Sequence, residues 1–303
     1  MLVINVRILS EFYDKEFIIK SSKNDVLYHY TSAFALKEIL KSGSFWVSQS
    51  YFLNDSSEII YIQKIIDMVC EVICPGHNRE GFFVTMSDII KTSMFLLSEV
   101  YVLSLSENPD SLALWSNYSK NEGYNIGLKY NDLTLALGKY YEENNIITLH
   151  GLVEYDEAKQ FEIIKSEIEP IYNLWLEDKE INTWDLLLKR LYIYSIFFKD
   201  SAFKQEEEYR VAFLVNPRTS SIVNTRIAEG IVDFRVNHGV LIPYIDVKIK
   251  KIAGINSGKL PLKSITIGPK NNLDIALSGV VRHLEFLNYN NIDVIKSAIP
   301  LRF

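Results

Sequence analysis

The chain has 303 residues, 48% of them hydrophobic, so a large core is within reach and length alone allows one to three domains. A formal net charge of −6 and a pI near 5.5 argue against a protein that grips nucleic acid with its whole surface. With two cysteines, no export-like segment and no apolar run near about twenty residues, a cytoplasmic protein without a membrane anchor is expected.

In chain order, MLVINVRI and EFIIK read as short strands, and VLYHY leads from a strand into a helix over Ala33 to Ser42. Thr31 or Ser32 can cap that helix, and Gly43 is placed to end it. SFWVS is the next strand. Asn54 to Glu58 reads as the cap of a helix carrying Cys70 and Cys74 on one apolar face, where a core role outweighs a metal site with His77. A further helix is predicted over Ser87 to Val100. VYVLSLSE is a buried strand, after which Asn108 caps and Pro109 opens the helix DSLALWSNYSK. GYNIGLKY and NIITLHGLVEY are strands. Two helical runs follow, about Glu157 to Leu176 with a break expected at Pro170, and Thr183 to Phe198. EYRVAFLV, GIVDFRV, VLIPYI and LKSITIGP are strands, Asn272 to Leu287 a helix, and NIDVIKS a last strand.

These elements lack a regular βαβ rhythm, which predicts an α+β fold with a mixed, mostly antiparallel sheet and flanking helices. One domain over residues 1–303 with a helical insertion at about 157–200 is the simplest organisation. Residues 151–190 carry an acidic excess, and Lys248, Lys250, Lys251, Lys259, Lys263 and Lys270 make the later segment basic. The sequence contains no phosphate-binding glycine loop, HExxH, GxSxG or CxxC.

Three polar clusters remain, each attached to a strand. Tyr28-His29-Tyr30-Thr31-Ser32 is either a capped helix with a hydrogen-bonded histidine or the wall of a ligand pocket. Ser104, Ser106 and Glu107 lead to Trp115 and Tyr118, which share a helix face and serve as core or as a stacking platform. Glu206, Glu208 and Arg210 alternate onto one strand face, where a buried arginine would hold one carboxylate ionised. Solvated ion pairs at a strand end give the same spacing.

The order of LYHYTS, FWVS, LNDSSE, SENPDSLALWSNYSKNEGYNIGL, EEEYRVAF, ITIGP and IKSAIPLR, from about Leu27 to Arg302, resembles a bacterial family catalogued as domain of unknown function 2971. That family often has Pro-Phe at Ser56-Ser57 and a tryptophan at Tyr209. It is in turn similar, more distantly, to ADP-ribosyltransferases and related RNA phosphotransferases, whose split antiparallel sheet grips NAD. The resemblance implies that His29 with Thr31 or Ser32 meets the ribose side of NAD. Tyr30, Tyr51 or Tyr118 would stack on nicotinamide, and Ser104 and Ser106 would belong to the cofactor-binding set. Glu208 or Glu206 would be the catalytic acid and Arg210 would orient it or meet the pyrophosphate. It implies NAD as co-substrate, no metal, and a protein or nucleic-acid acceptor. The role would be that of a toxin or phage-defence effector restrained by an antitoxin or regulator. A non-catalytic nucleotide- or nucleic-acid-binding module, and a metal nuclease using Glu206, Glu208 and Asp55, are the alternatives.

Overall fold

A computed structural model describes residues 20–53, 61–74, 81–86, 99–119, 122–144, 146–177, 184–215, 231–237, 239–249 and 259–301. The expected strands MLVINVRI and most of EFIIK, the cap at Asn54 to Glu58, His77, and the helix from Ser87 up to residue 98 lie outside the described residues. The elements run β1 (Val26–Thr31), α1 (Ala33–Ser42), β2 (Phe45–Gln49), α2 (Tyr61–Ile73), β3 (Glu99–Ser106), α3 (Leu112–Ser119), β4 (Tyr124–Lys129) and α4 (Tyr130–Asn144). Then come β5 (Ile147–Leu152), α5 (Glu157–Leu176), α6 (Trp184–Phe197), β6 (Glu208–Val215), β7 (Val232–Asn237), β8 (Val240–Val247), β9 (Leu262–Ile267), α7 (Leu273–Phe286) and β10 (Asp293–Lys296).

Local chemistry sets several of these boundaries. The Ser32 hydroxyl accepts from the Ala35 N–H at 3.2 Å and starts α1, and Gly43 ends it at φ 65. Two expectations need correction, and one helix was not foreseen. Asn108 and Pro109 do not open α3: the Asn108 side chain accepts from Asp110 N, and the helix begins only after Ser111. An unanticipated helix, α4, follows β4 directly. Pro170 does not break α5, which stays continuous while burying Ile163, Ile164, Ile168, Ile171 and Tyr172. Packing of that face outweighs the one backbone hydrogen bond that proline cannot make.

Among the described residues ten strands form one sheet, antiparallel throughout except where β10 runs parallel to β9. The fold is therefore α+β with a mixed, mostly antiparallel sheet. β3 is its branch point. One edge of β3 pairs with β6 along all eight residues, Glu99 to Ser106. The other edge is shared: Tyr101 and Val102 pair with β2, and Ser106 pairs with Tyr28 of β1. The sheet forks there, into an arm β1–β4–β9–β10 and an arm β2–β8–β7, with Ser104 at the crotch. Helices cover both faces. Tyr101, Leu103, Tyr209, Val211 and Phe213 pack against α1, α4 and α7. Val100, Val102, Leu149 and Ala212 pack against α2, α5 and α6, where Cys70 and Cys74 are buried core residues. The segment expected as a helical insertion thus shares a core with the sheet.

Candidate functional site

Side chains alternate along a strand, and directly paired residues share a face. Ser104 pairs with Arg210 and Ser106 with Glu208, so these four occupy one face of the sheet. The chain enters this face through a short 3-10 turn, Ser201–Glu206. Glu207 then adopts φ 44 and redirects the backbone into β6. Glu206 is therefore not on the strand, as alternation had predicted, yet it still reaches the same cluster.

Lys199 makes that possible. Its Nζ lies 2.7 Å from Glu206 Oε2 and 3.4 Å from Glu208 Oε2. Arg210 grips Glu208 with two parallel bonds, Nε to Oε1 at 2.9 Å and Nη2 to Oε2 at 2.7 Å, and donates Nη1 to the Ile196 carbonyl. Tyr118 donates its hydroxyl to Glu206 Oε1 at 3.0 Å. Lys199, Glu206, Glu208 and Arg210 are all buried, two cations against two carboxylates. Burial alone would push the Glu208 carboxyl up. Arg210 and Lys199 outweigh it, helped by the Ser104 hydroxyl, and hold the group at about 2. Tyr118 is 39% exposed and Ser104 is exposed, so this end of the cluster opens outward.

His29 lies elsewhere. Tyr28 pairs with Ser106, which puts Tyr28 on the Glu208 face and His29 on the other. The ring of His29 accordingly meets Phe45 edge-on at 5.3 Å, among the residues packed on α1. Its Nδ1–H donates to the Ser104 carbonyl at 3.1 Å, across the crotch. A carbonyl only accepts, so Nδ1 carries the proton and Nε2 the lone pair. Desolvation lowers the imidazole pKa and the Ser104 bond opposes this only in part, so the ring is neutral at neutral pH. Ser104 thereby touches both predicted groups, His29 through its backbone and Glu208 through its side chain.

The remaining predicted residues have local partners. Tyr30 is buried edge-on against Trp115 at 4.8 Å, donates to the Asn108 carbonyl and accepts from Ser111 N. Thr31 is buried, and Ser32 is the α1 cap. Ser106 donates to the Glu206 carbonyl at 2.7 Å. Tyr51, in the turn after β2, is 85% exposed and touches Phe52. Asp55 lies outside the described residues, and among those described no group of three or more His, Cys, Asp or Glu side chains is placed to hold a metal ion.

Residues 114–211 match the family described as a protein of unknown function, DUF2971. No curated protein and no solved structure matches the chain. The matched stretch holds Tyr118, Lys199, Glu206, Glu208 and Arg210, but neither His29 nor Ser104. It is narrower than the resemblance from Leu27 to Arg302. Two members of the cluster were missed from sequence: Lys199, and Tyr155, whose hydroxyl accepts from Glu208 N at 3.1 Å. Neither stands in a motif, since Lys199 simply follows the apolar run of α6. A cavity of about 190 Å³ between Lys20, Leu152, Glu154, Lys159 and Phe198 contains none of the predicted residues. No described helix is long and apolar enough to cross a membrane.

Proposed function

We propose that the chain is an NAD-dependent ADP-ribosyltransferase acting on a macromolecule, with NAD seated on the Glu208 face of the fork. The observation that carries this reading is the branch point itself. An exposed serine sits where an antiparallel sheet divides, beside the Glu206 and Glu208 carboxylates, of which Glu206 is held between Lys199 and the partly exposed Tyr118. In the reaction, the bond from ribose C1′ to the nicotinamide nitrogen breaks and its electron pair leaves with nicotinamide. The acceptor then gives an electron pair to C1′ and loses a proton. Positive charge builds on the sugar between these events, and a carboxylate held without reorganisation stabilises it.

Glu206 is the carboxylate for that task, because its Oε1 is bonded only 3.0 Å from the partly exposed Tyr118 hydroxyl. The Tyr118 ring offers a stacking face for nicotinamide. Glu208, Arg210 and Lys199 act as positioning residues that fix Glu206 and the local field. His29 takes a changed role: it orients Ser104 from the opposite face instead of touching NAD. In a bacterial cell such an activity would serve as a toxin or antiviral-defence effector, restrained by an antitoxin or regulatory partner.

One observation favours a second reading, a non-catalytic nucleotide-binding module. Both Glu208 oxygens are held by Arg210 in a buried, charge-balanced network. Incubation with labelled NAD and separate protein, RNA and DNA pools separates the two. Glu206→Gln is expected to lower transfer about 100-fold or more, and Glu208→Gln to lower it by disturbing Glu206. Absence of label in every pool would favour the binding module. Transfer unchanged in Glu206→Gln would remove the assigned acid.

A further inference from the structure

The second arm of the fork carries a polar and aromatic constellation on the same face as Glu208. Ser48 pairs with both Val102 and Tyr244, and Trp46 pairs with Asp246, so Trp46, Ser48, Tyr244 and Asp246 continue that face onto β2 and β8. Asp233 and Arg235 extend it onto β7. The Trp46 and Tyr244 rings are stacked, with centroids 4.7 Å apart and planes 30° apart. Tyr244 is buried beneath, whereas Trp46 is 52% exposed, so its outer side is open.

Two buried polar atoms here have no hydrogen-bond partner among the described residues: Arg235 Nε, a donor, and Asp246 Oδ1, an acceptor. Each group has a second atom that is engaged. Arg235 Nη2 donates to Ser48 Oγ at 2.8 Å, and Asp246 Oδ2 lies 3.5 Å from Lys248 Nζ. Asp233 accepts from the Tyr244 hydroxyl and from Phe234 N. Buried donors and acceptors are nearly always satisfied, so an orphaned pair beside an open indole asks for a ligand.

We propose that this face is a nucleotide subsite. A base stacks on the open side of Trp46, Asp246 accepts from its exocyclic amine or from a ribose hydroxyl, and Arg235 donates to the phosphate. An aromatic plane beside an arginine is the usual way to hold a base and its backbone without reading long sequences. The occupant is either a free nucleotide or one unit of a single strand, since both present the same base and phosphate. The inference goes beyond the transferase reading and does not require it, because a chain that never cleaves NAD could still bind here.

Binding is read with the full chain: calorimetry with adenosine monophosphate and with NAD, and anisotropy with a fluorescein-labelled, adenine-rich single strand. At least one probe is expected to bind. Trp46→Ala should weaken it about tenfold or more, with Trp46→Phe retaining part of the affinity and Arg235→Gln losing about as much as Trp46→Ala. Near-ultraviolet circular dichroism and thermal midpoints check that each variant is folded, and Trp46→Phe keeps a ring in place should Trp46→Ala fail to fold. Binding of the monophosphate or NAD alone identifies a free nucleotide as the occupant. Binding of the strand, competed by the monophosphate, identifies nucleic acid. No binding of any probe, or binding by Trp46→Ala and Arg235→Gln as tight as by the natural chain, overturns the subsite.

Discussion

Glu208 ties the stability of the fold to acid. Its carboxyl would titrate at 4.5 when free, and burial opposes ionisation, yet Arg210 and Lys199 hold it at about 2. The folded value is depressed, so the unfolded chain binds more protons below pH 4.5. The stabilisation is therefore complete above about pH 4.5 and is lost as pH falls toward 2, on the order of 3 kcal/mol in all. His150 behaves alike in a different window. Burial lowers its pKa from 6.5 to about 4, and its ring lies 2.6 Å from the Tyr209 hydroxyl. Its contribution is present above pH 6.5 and fades as pH falls through about 4, again on the order of 3 kcal/mol. Urea midpoints measured across pH should separate the two. Glu208→Gln flattens the dependence between about pH 4.5 and 2, His150→Gln that between 6.5 and 4. An unchanged acid limb in Glu208→Gln would mean that the carboxylate is not held ionised in the fold. The arginine–glutamate pair was legible in the sequence, because both sit on one strand two residues apart. Lys199 was not, because its partnership with Glu206 and Glu208 is made only when α6 ends beside the start of β6.

At the scale of elements, close backbone approach decides what can change. A Cβ added at Gly123 would lie 2.2 Å from the Thr31 carbonyl oxygen and 2.3 Å from Ser119 Cβ. Both obstacles belong to elements fixed by packing, α3 and the end of β1. Gly123→Ala is therefore expected to destabilise the protein by about 1–3 kcal/mol through overpacking. Gly279, in the exposed part of α7, has nothing within 4 Å of the same added atom. There Gly279→Ala should stabilise by about 0.5–1 kcal/mol, since alanine loses less entropy in a helix. Denaturant unfolding of the two variants checks the opposite signs, and equal effects would contradict the crowding at Gly123. The elements best read from sequence were those with local signals, such as the Ser32 cap, the Gly43 stop and the apolar alternation of β6. α4 was passed over because the strands on either side of it were clear and its own pattern, YNDLTLALGKYYEEN, is polar along much of its length. At Pro170 a local rule was correct in sign but too small against a face of five buried apolar side chains.

For the whole molecule, the fork is the feature that no periodicity could announce, because it depends on which stretch of β3 each of two strands chooses. β1 is paired with β3 at one residue and β2 at two, whereas β6 is paired along the full strand. The joint between the arms therefore also rests on side chains, among them His29, which holds the Ser104 carbonyl on β3 and packs on Phe45 of β2. His29→Ala removes both contacts at once and should cost about 1–3 kcal/mol, mostly for leaving the carbonyl without its donor. The more telling expectation is where the loss appears. Amides of β1 and β2 next to the crotch should lose hydrogen-exchange protection together, while β3, β5 and β6, joined by continuous ladders, keep theirs. A uniform fall across all the strands would mean that the sheet opens as one unit and that His29 is an ordinary core residue. A local fall would mark the joint as the place where the two arms can move, with the Glu206 cluster and the Trp46 face both on the side of the sheet opposite His29.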